Sequence, residues 1–255
     1  MIDIDIAVKN AFDIVWKELL KNEDVEVSSV SFPKSFVLGG QPGAGKSQLL
    51  QKASLICRSN LIIISGDDFR KFHPDYERLQ KEHGKDSPSF TSEFSAKMTE
   101  AVLRKAISEH YNIAIEGTFR TSEVPIKTLT LLKTNGYKTK VMIQTCCKEL
   151  SWKSCQERYE RMMELDPKEA RWTNKDHHDM VCQNLADNIL KVYESGLVDE
   201  MEIFSRDEMG NNKIIYTSKS STAPSVNAIN NELGKLIVSE PTPKKLKRRD
   251  SGWSR

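Results

Sequence analysis

Residues 36–50 read FVLGGQPGAGKSQLL: an apolar run, a glycine-rich turn, then a segment of helical character. Gly40, Gln41, Pro42, Gly43, Ala44, Gly45, Lys46 and Ser47 fit the pattern Gly-x-x-x-x-Gly-Lys-Ser without a gap. Glycines let consecutive backbone N–H groups turn toward phosphate oxygens with no Cβ in the way. A helix starting near Lys46 adds free N–H groups and the positive end of its dipole. In such a loop the lysine reaches the β- and γ-phosphates and the serine hydroxyl ligates Mg²⁺. The stretch therefore predicts a site for ATP or a related triphosphate. The motif alone does not say where the phosphate goes.

Outward from this loop, strand and helix patterns alternate. Buried strands are expected at 35–40, 61–67, 112–117 and 140–146, with helices at 46–57, 91–109, 123–134 and 150–164. That alternation predicts an α/β, P-loop kinase-like fold with a mostly parallel sheet and helices on both faces. A final strand pair is expected at 201–205 and 213–217, turning at Gly210-Asn211. Apolar residues at helical spacing over 5–22 predict an N-terminal helix. The expected organisation is a helix and lead-in (1–30), a kinase domain (31–220) and a partly flexible C-terminal segment (221–255) with the basic run KKLKRRD at 244–250.

Bulk properties bound the function. The 255 residues suffice for one sizeable α/β domain, and 38 basic against 36 acidic residues give a formal charge of +2. Such a balance, without basic stripes interleaved with aromatics, argues against nucleic acid as the domain's partner, leaving at most a weak contact through the basic tail. Apolar runs such as Leu61–Ile64 are far too short to span a bilayer. The acidic N-terminus lacks the pattern of an export signal, and five cysteines match neither a disulfide framework nor a zinc spacing. A reducing cytoplasm is the expectation.

Ligands in doubly wound sheets lie off the carboxyl ends of the strands. The second strand brings Asp67 and Asp68 to that edge, and the third brings Glu116, Thr118 and Arg120. A carboxylate there can accept the proton of an acceptor hydroxyl or serve as a helix cap, and the residues alone leave both uses open. TNKD (173–176) has the letters of a guanine-reading motif but follows a helix where that motif follows a strand.

Five segments, GGQPGAGKS, GDDFRKFHPDY, EGTFRTSEVP, ERYERM and ARWTNKDHHD, stand in the order and spacing of the zeta toxin family, which the chain resembles from about residue 30 to about 220. The resemblance implies a toxin–antitoxin kinase that uses ATP and Mg²⁺ to phosphorylate the 3′-hydroxyl of the amino sugar of UDP-N-acetylglucosamine, blocking peptidoglycan precursor synthesis. It implies Lys46 and Ser47 as phosphate and metal anchors, Asp67 as general base, and Glu116 near the metal. It also implies Glu100, Thr118 and Arg120 in the nucleotide-sugar pocket, Arg158 and Arg171 on the transferring phosphate, and a small antitoxin over the ATP side. Bland uses stand beside these: Glu100 four residues before Arg104 makes a surface ion pair, and Arg158 sits on a charged helix face. Ser65, Phe119 and Asn174 depart from the family pattern, Phe119 at the sugar pocket. The alternatives are a kinase of another small-molecule or nucleic-acid hydroxyl, and a non-catalytic nucleotide-binding module.

Overall fold

The computed structural model describes residues 2–22, 25–168, 170–219 and 222–235. Helix α1 (Ile4–Leu19) opens the chain, its N-terminus capped by the Asp3 carboxylate, which accepts from the backbone N–H groups of Asp5 and Ile6. A two-residue antiparallel ladder of β1 (Lys21–Asn22) and β2 (Val25–Glu26) follows. The core then runs β3 (Lys34–Gly39), α2 (Ser47–Cys57), β4 (Ile62–Ile64), α3 (Gly66–Phe69), α4 (Tyr76–His83), α5 (Ser87–Phe90) and α6 (Ser92–Ser108). It continues through β5 (Ile113–Glu116), α7 (Glu123–Thr134), β6 (Lys138–Cys146), α8 (Lys148–Leu165) and α9 (Lys175–Glu194). It ends with β7 (Glu200–Arg206), β8 (Asn212–Thr217) and α10 (Val226–Leu233).

The six main strands stand in the order β4-β5-β3-β6-β7-β8, all parallel except β8, which runs antiparallel to β7. This is the expected α/β architecture. Strand β3 is central because both its faces are apolar, and side chains alternate between them. Phe36 and Leu38 pack with Leu49 and Ala53 of α2 and with Phe204, while Val37 joins the larger core built with α6, α7 and α9. Val37 stands opposite Ile115 on one side and Val141 on the other. The chain moves from β3 outward to β4 and β5, then crosses to β6 on the opposite side. That reversal opens a crevice at the carboxyl end of β3, where the glycine-rich loop begins.

Two parts differ from the sequence expectation. Strand β4 stops at Ile64, because Gly66 and Asp67 already lie in a helical turn. Within the segment 221–255, expected to be partly flexible, no helix was foreseen, yet α10 inserts Ile229 and Leu233 into the main core and buries Glu232 against Ser205, Lys213 and Lys235. The basic run 244–250 lies outside the described residues. Among the described residues no helix is long and apolar enough to cross a membrane. All five cysteines are free thiols.

Candidate active site

The loop between β3 and α2 is shaped by packing as much as by backbone freedom. Gly40 has φ of +134°, and a Cβ there would meet the Gln144 carbonyl oxygen at 1.9 Å. At Gly43 a Cβ would meet the Ser151 carbonyl at 2.0 Å. Neither position admits a side chain without moving β6 or α8. Gln41 is buried and donates from Nε2 to the Cys146 carbonyl at 2.8 Å, tying the loop to the end of β6.

Arg206, at the end of β7, holds the loop from outside. Its Nε donates to the Ala44 carbonyl at 3.0 Å, and its Nη2 donates to the Gly43 carbonyl at 2.9 Å and the Ser154 hydroxyl at 3.1 Å. Carbonyls drawn outward leave N–H groups facing inward. Among the described residues nothing accepts from the backbone N–H groups of Gly43, Gly45, Lys46 or Ser47. That is a cradle of donors awaiting an anion. The Lys46 ammonium folds over it, donating to the carbonyls of Gly40 (3.1 Å) and Gln41 (3.4 Å). Burial lowers the Lys46 pKa, against the pull of Glu116 and Asp67 that favours its charge.

Across the crevice, β4 delivers Asp67 on the single turn α3. Its Oδ1 accepts from Arg70 Nε at 2.9 Å. The surrounding crevice walls push the exposed Asp67 carboxyl up, but Arg70, Arg171 and Arg158 together outweigh them and hold the group below the ordinary aspartate range. The arginines thus favour the charged form of Asp67, whose Oδ2 has no hydrogen-bond partner among the described residues. Beside it, Asp68 Oδ1 accepts from Arg171 Nη1 at 2.8 Å, which pins the segment between α8 and α9 over the crevice. Arg158 Nη2 donates to the Thr173 hydroxyl at 3.1 Å on the same segment. Tyr76 and Gln80 of α4 donate to the Lys168 carbonyl from the opposite wall, and Lys85 lies over the Trp172 ring at 4.1 Å.

Glu116 ends β5 between these walls. Burial raises its pKa, Lys46 pulls it back, and the neighbouring charges of Asp68 and Asp67 add to the rise. Thr118, Phe119 and Arg120 continue from it. Phe119 is buried with φ of +55°, and its carbonyl and that of Arg120 accept from Asn188 Nδ2 of α9 at 3.0 and 2.8 Å. Phe119 thus turns into the core against Gly39, where a Cβ would meet its ring at 2.4 Å, while Thr118 is half-buried and Arg120 exposed.

The structure brings Lys46, Asp67, Glu116, Arg158 and Arg171 around one crevice, each within electrostatic reach of the others named for it above. Glu100, on α6, pairs with Arg104 at 2.7 Å and is exposed. His177, at the start of α9, is half-buried; burial lowers its pKa, with Arg120 adding to the fall and Asp67 opposing it. His178 is fully buried, 2.9 Å from the Ser151 hydroxyl, and holds α8 to α9. Asn174 caps α9 by accepting from the N–H groups of Asp176 and His177, so TNKD is a helix start. Arg70, Arg206 and Asn188 hold these segments in place, and the motif reading did not reach them.

A divalent cation can be tested against these residues. Among the described residues no three carboxylate, histidine or cysteine side chains converge as a complete metal site. Magnesium typically takes one or two protein ligands and completes its shell with water and substrate phosphates. The Ser47 hydroxyl at the start of α2 and the Glu116 carboxyl, crowded by two aspartates, are the candidates for such a partial set.

Known proteins share this chain's sequence pattern and fold. The zeta toxin family model matches residues 17–221. The toxin PezT of Streptococcus pneumoniae is 39% identical over 197 residues, covering 77% of this chain and 76% of that protein. The toxin zeta of Streptococcus agalactiae is 38% identical over 179 residues, covering 70% of this chain and 62% of that protein. Among solved structures, a chain from the characterised PezAT chromosomal toxin–antitoxin system of Streptococcus pneumoniae superposes with a TM-score of 0.77 at 32% identity, over 93% of this chain and 92% of that one. A chain of the AvrRxo1-ORF1:ORF2 complex solved with ATP is alike in fold, with a TM-score of 0.56 at 17% identity over 93% of this chain and 72% of that one.

Proposed function

The chain belongs to the zeta toxin family, and from that premise we propose that it transfers the γ-phosphate of ATP to the 3′-hydroxyl of the amino sugar of UDP-N-acetylglucosamine. The carrying observation is the pairing of an empty-handed donor cradle with an ionised, solvent-open Asp67 on the facing wall. A cradle alone fits any triphosphate binder, whereas a base one strand away has no use in a module that only binds.

The backbone N–H groups of Gly43, Gly45, Lys46 and Ser47 would hold the β- and γ-phosphates, and Lys46 would neutralise charge between them. Magnesium, held by Ser47 and Glu116, would supply further charge neutralisation. Asp67 would accept the proton of the attacking hydroxyl. Arg158 and Arg171, already poised over the crevice by Thr173 and Asp68, would turn to the transferring phosphate as its charge spreads. Thr118, Arg120 and, from α6, Glu100 would contact the nucleotide sugar, Glu100 after leaving Arg104. With both binding halves on one rigid sheet edge, catalysis is chiefly positioning and charge stabilisation.

We further propose a small antitoxin as partner, on the footing that the PezT relative is named a toxin and that a similar solved chain comes from a toxin–antitoxin system. The proposed setting is the cytoplasm. The test uses ATP labelled at the γ-phosphate, offered with a panel of nucleotide sugars and other alcohols. Label on UDP-N-acetylglucosamine is expected. Label only on a different acceptor would overturn the substrate and keep the kinase.

A further inference from the structure

We infer that Arg70 is the positioning residue of the proposed transfer, holding the Asp67 carboxylate so that its remaining oxygen faces the acceptor hydroxyl. The inference rests on the reading of Asp67 as general base. It starts from a problem of local stability. Asp67 lies on a helix of four residues, too short to fix any side chain by its own hydrogen bonds. Something outside the turn must orient the carboxylate.

Arg70 does so through two separate edges of one guanidinium. Its Nη1 donates to the Pro88 carbonyl at 2.6 Å and the Thr91 hydroxyl at 2.9 Å, at the junction of α5 and α6. Thr91 is itself buried. The Nε on the other edge donates to Asp67 Oδ1 at 2.9 Å. The asymmetry in exposure is informative: the Arg70 side chain is 18% exposed and that of Asp67 63%. An anchored donor thus presents an acceptor to the crevice. The Asp75–Arg78 pair has the same spacing, but Arg78 is 55% exposed and its second partner is the exposed Glu82 on its own helix. Such surface pairs contribute little. Because Arg70 is planar and fixed at its far edge, the ordering entropy of the contact is already spent on folding.

The turn is fixed from its other side as well. The Ser95 hydroxyl on α6 donates to the Gly66 carbonyl, and a Cβ at Gly66 would meet Ser95 and Thr99 oxygens at 3.1 and 3.2 Å. Arg70 and Ser95 therefore tie α3 to α6 at both ends of its single turn. Among the described residues the Asp67 side chain has no hydrogen-bond partner besides Arg70. The other charged or titratable groups facing it are Arg158 and Arg171 from the segment around α8, Lys46 from the loop, Glu116 from β5 and His177 from α9. None of these touches the carboxylate, so Arg70 alone sets its rotation.

The test is a double-mutant cycle on kcat for phosphate transfer, using Asp67→Asn, Arg70→Ala and the two together, with the ATP KM measured in each. Arg70→Ala is expected to lower kcat by about 10²-fold, the usual cost of a misplaced reacting group, with the ATP KM unchanged. In the Asp67→Asn background the same change should cost nothing further, because the carboxylate it positions is gone. The acid limb of the kcat profile should also move to higher pH in Arg70→Ala. Arg70→Lys should recover only part of the rate, since one ammonium cannot span both edges, and its own cycle reads the same coupling if Arg70→Ala does not fold. Losses that multiply in the double variant would overturn the inference while leaving Asp67 as base. An Asp67→Asn variant with unchanged transfer would overturn the base reading itself.

Discussion

Lys46 and Asp67 bring opposite charges to facing walls of one crevice, so their removal should separate transfer from binding in different ways. Asp67→Asn is expected to lower transfer by about 10²–10⁴-fold while ATP affinity, measured by calorimetry, stays at the wild-type level. Lys46→Ala should lower transfer by about 10²-fold or more and weaken ATP as well, because its charge is used in both states. Arg206→Ala acts one step back. Losing its hydrogen bonds to the Gly43 and Ala44 carbonyls should raise the ATP KM about ten- to a hundredfold, the equivalent of a charge-assisted bond worth about 1.5–3 kcal/mol. The loop and the acids at the strand ends were legible because their spacing carries the chemistry. Arg70, Arg206 and Asn188 were not, since each acts through a contact distant in sequence or indistinguishable from a surface charge. Asn188 reaches Phe119 and Arg120 across nearly seventy positions, and no pattern announces such a bond.

Elements were readable where a single period dominated. Strands β3, β5 and β6 are short runs buried on both faces, and the sequence expectation places each within two residues. Helix α9 carried its own signal, an Asn cap followed by Val181, Leu185, Ile189 and Val192 at helical spacing, but the charged and histidine-rich first turn masked its start. Helices α4 and α5 are short, polar and stabilised by neighbours, so propensity alone does not define them. Helix α10 was obscured by the Ser- and Asn-rich composition around it. Its packing makes a stability prediction: Ile229→Ala should cost about 2–5 kcal/mol in urea unfolding, where a flexible segment would cost nothing. His178 makes a second. Burial lowers its pKa, with Lys175 and Lys148 adding to the fall and Asp179 opposing it. A histidine lowered in the folded state binds its proton more readily once unfolded, so stability is present at neutral pH and is lost as pH falls through about 6.5. Melting temperatures between pH 7 and 5 should fall more steeply for the wild type than for His178→Gln.

At the scale of the whole molecule, the proposed transfer draws on both sides of the sheet. The nucleotide would lie where β3, β6 and β7 end and the acceptor where β4 and β5 end, with Arg171 tying the segment between α8 and α9 to Asp68 beyond β4. That division explains why fold and reaction class are easier to read than substrate: phosphate binding is written in backbone and charge, whereas the proposed sugar recognition would fall to a few side chains around Thr118 and Arg120. The account predicts that the chain expressed without an antitoxin arrests bacterial growth and that Asp67→Asn relieves the arrest. The most direct measurement follows ADP and phosphorylated sugar together, by mass, in one reaction of the purified chain with Mg-ATP and UDP-N-acetylglucosamine. One phosphate on the amino sugar is expected for each ADP formed. ADP accompanied by free phosphate, with the sugar unmodified, would contradict it.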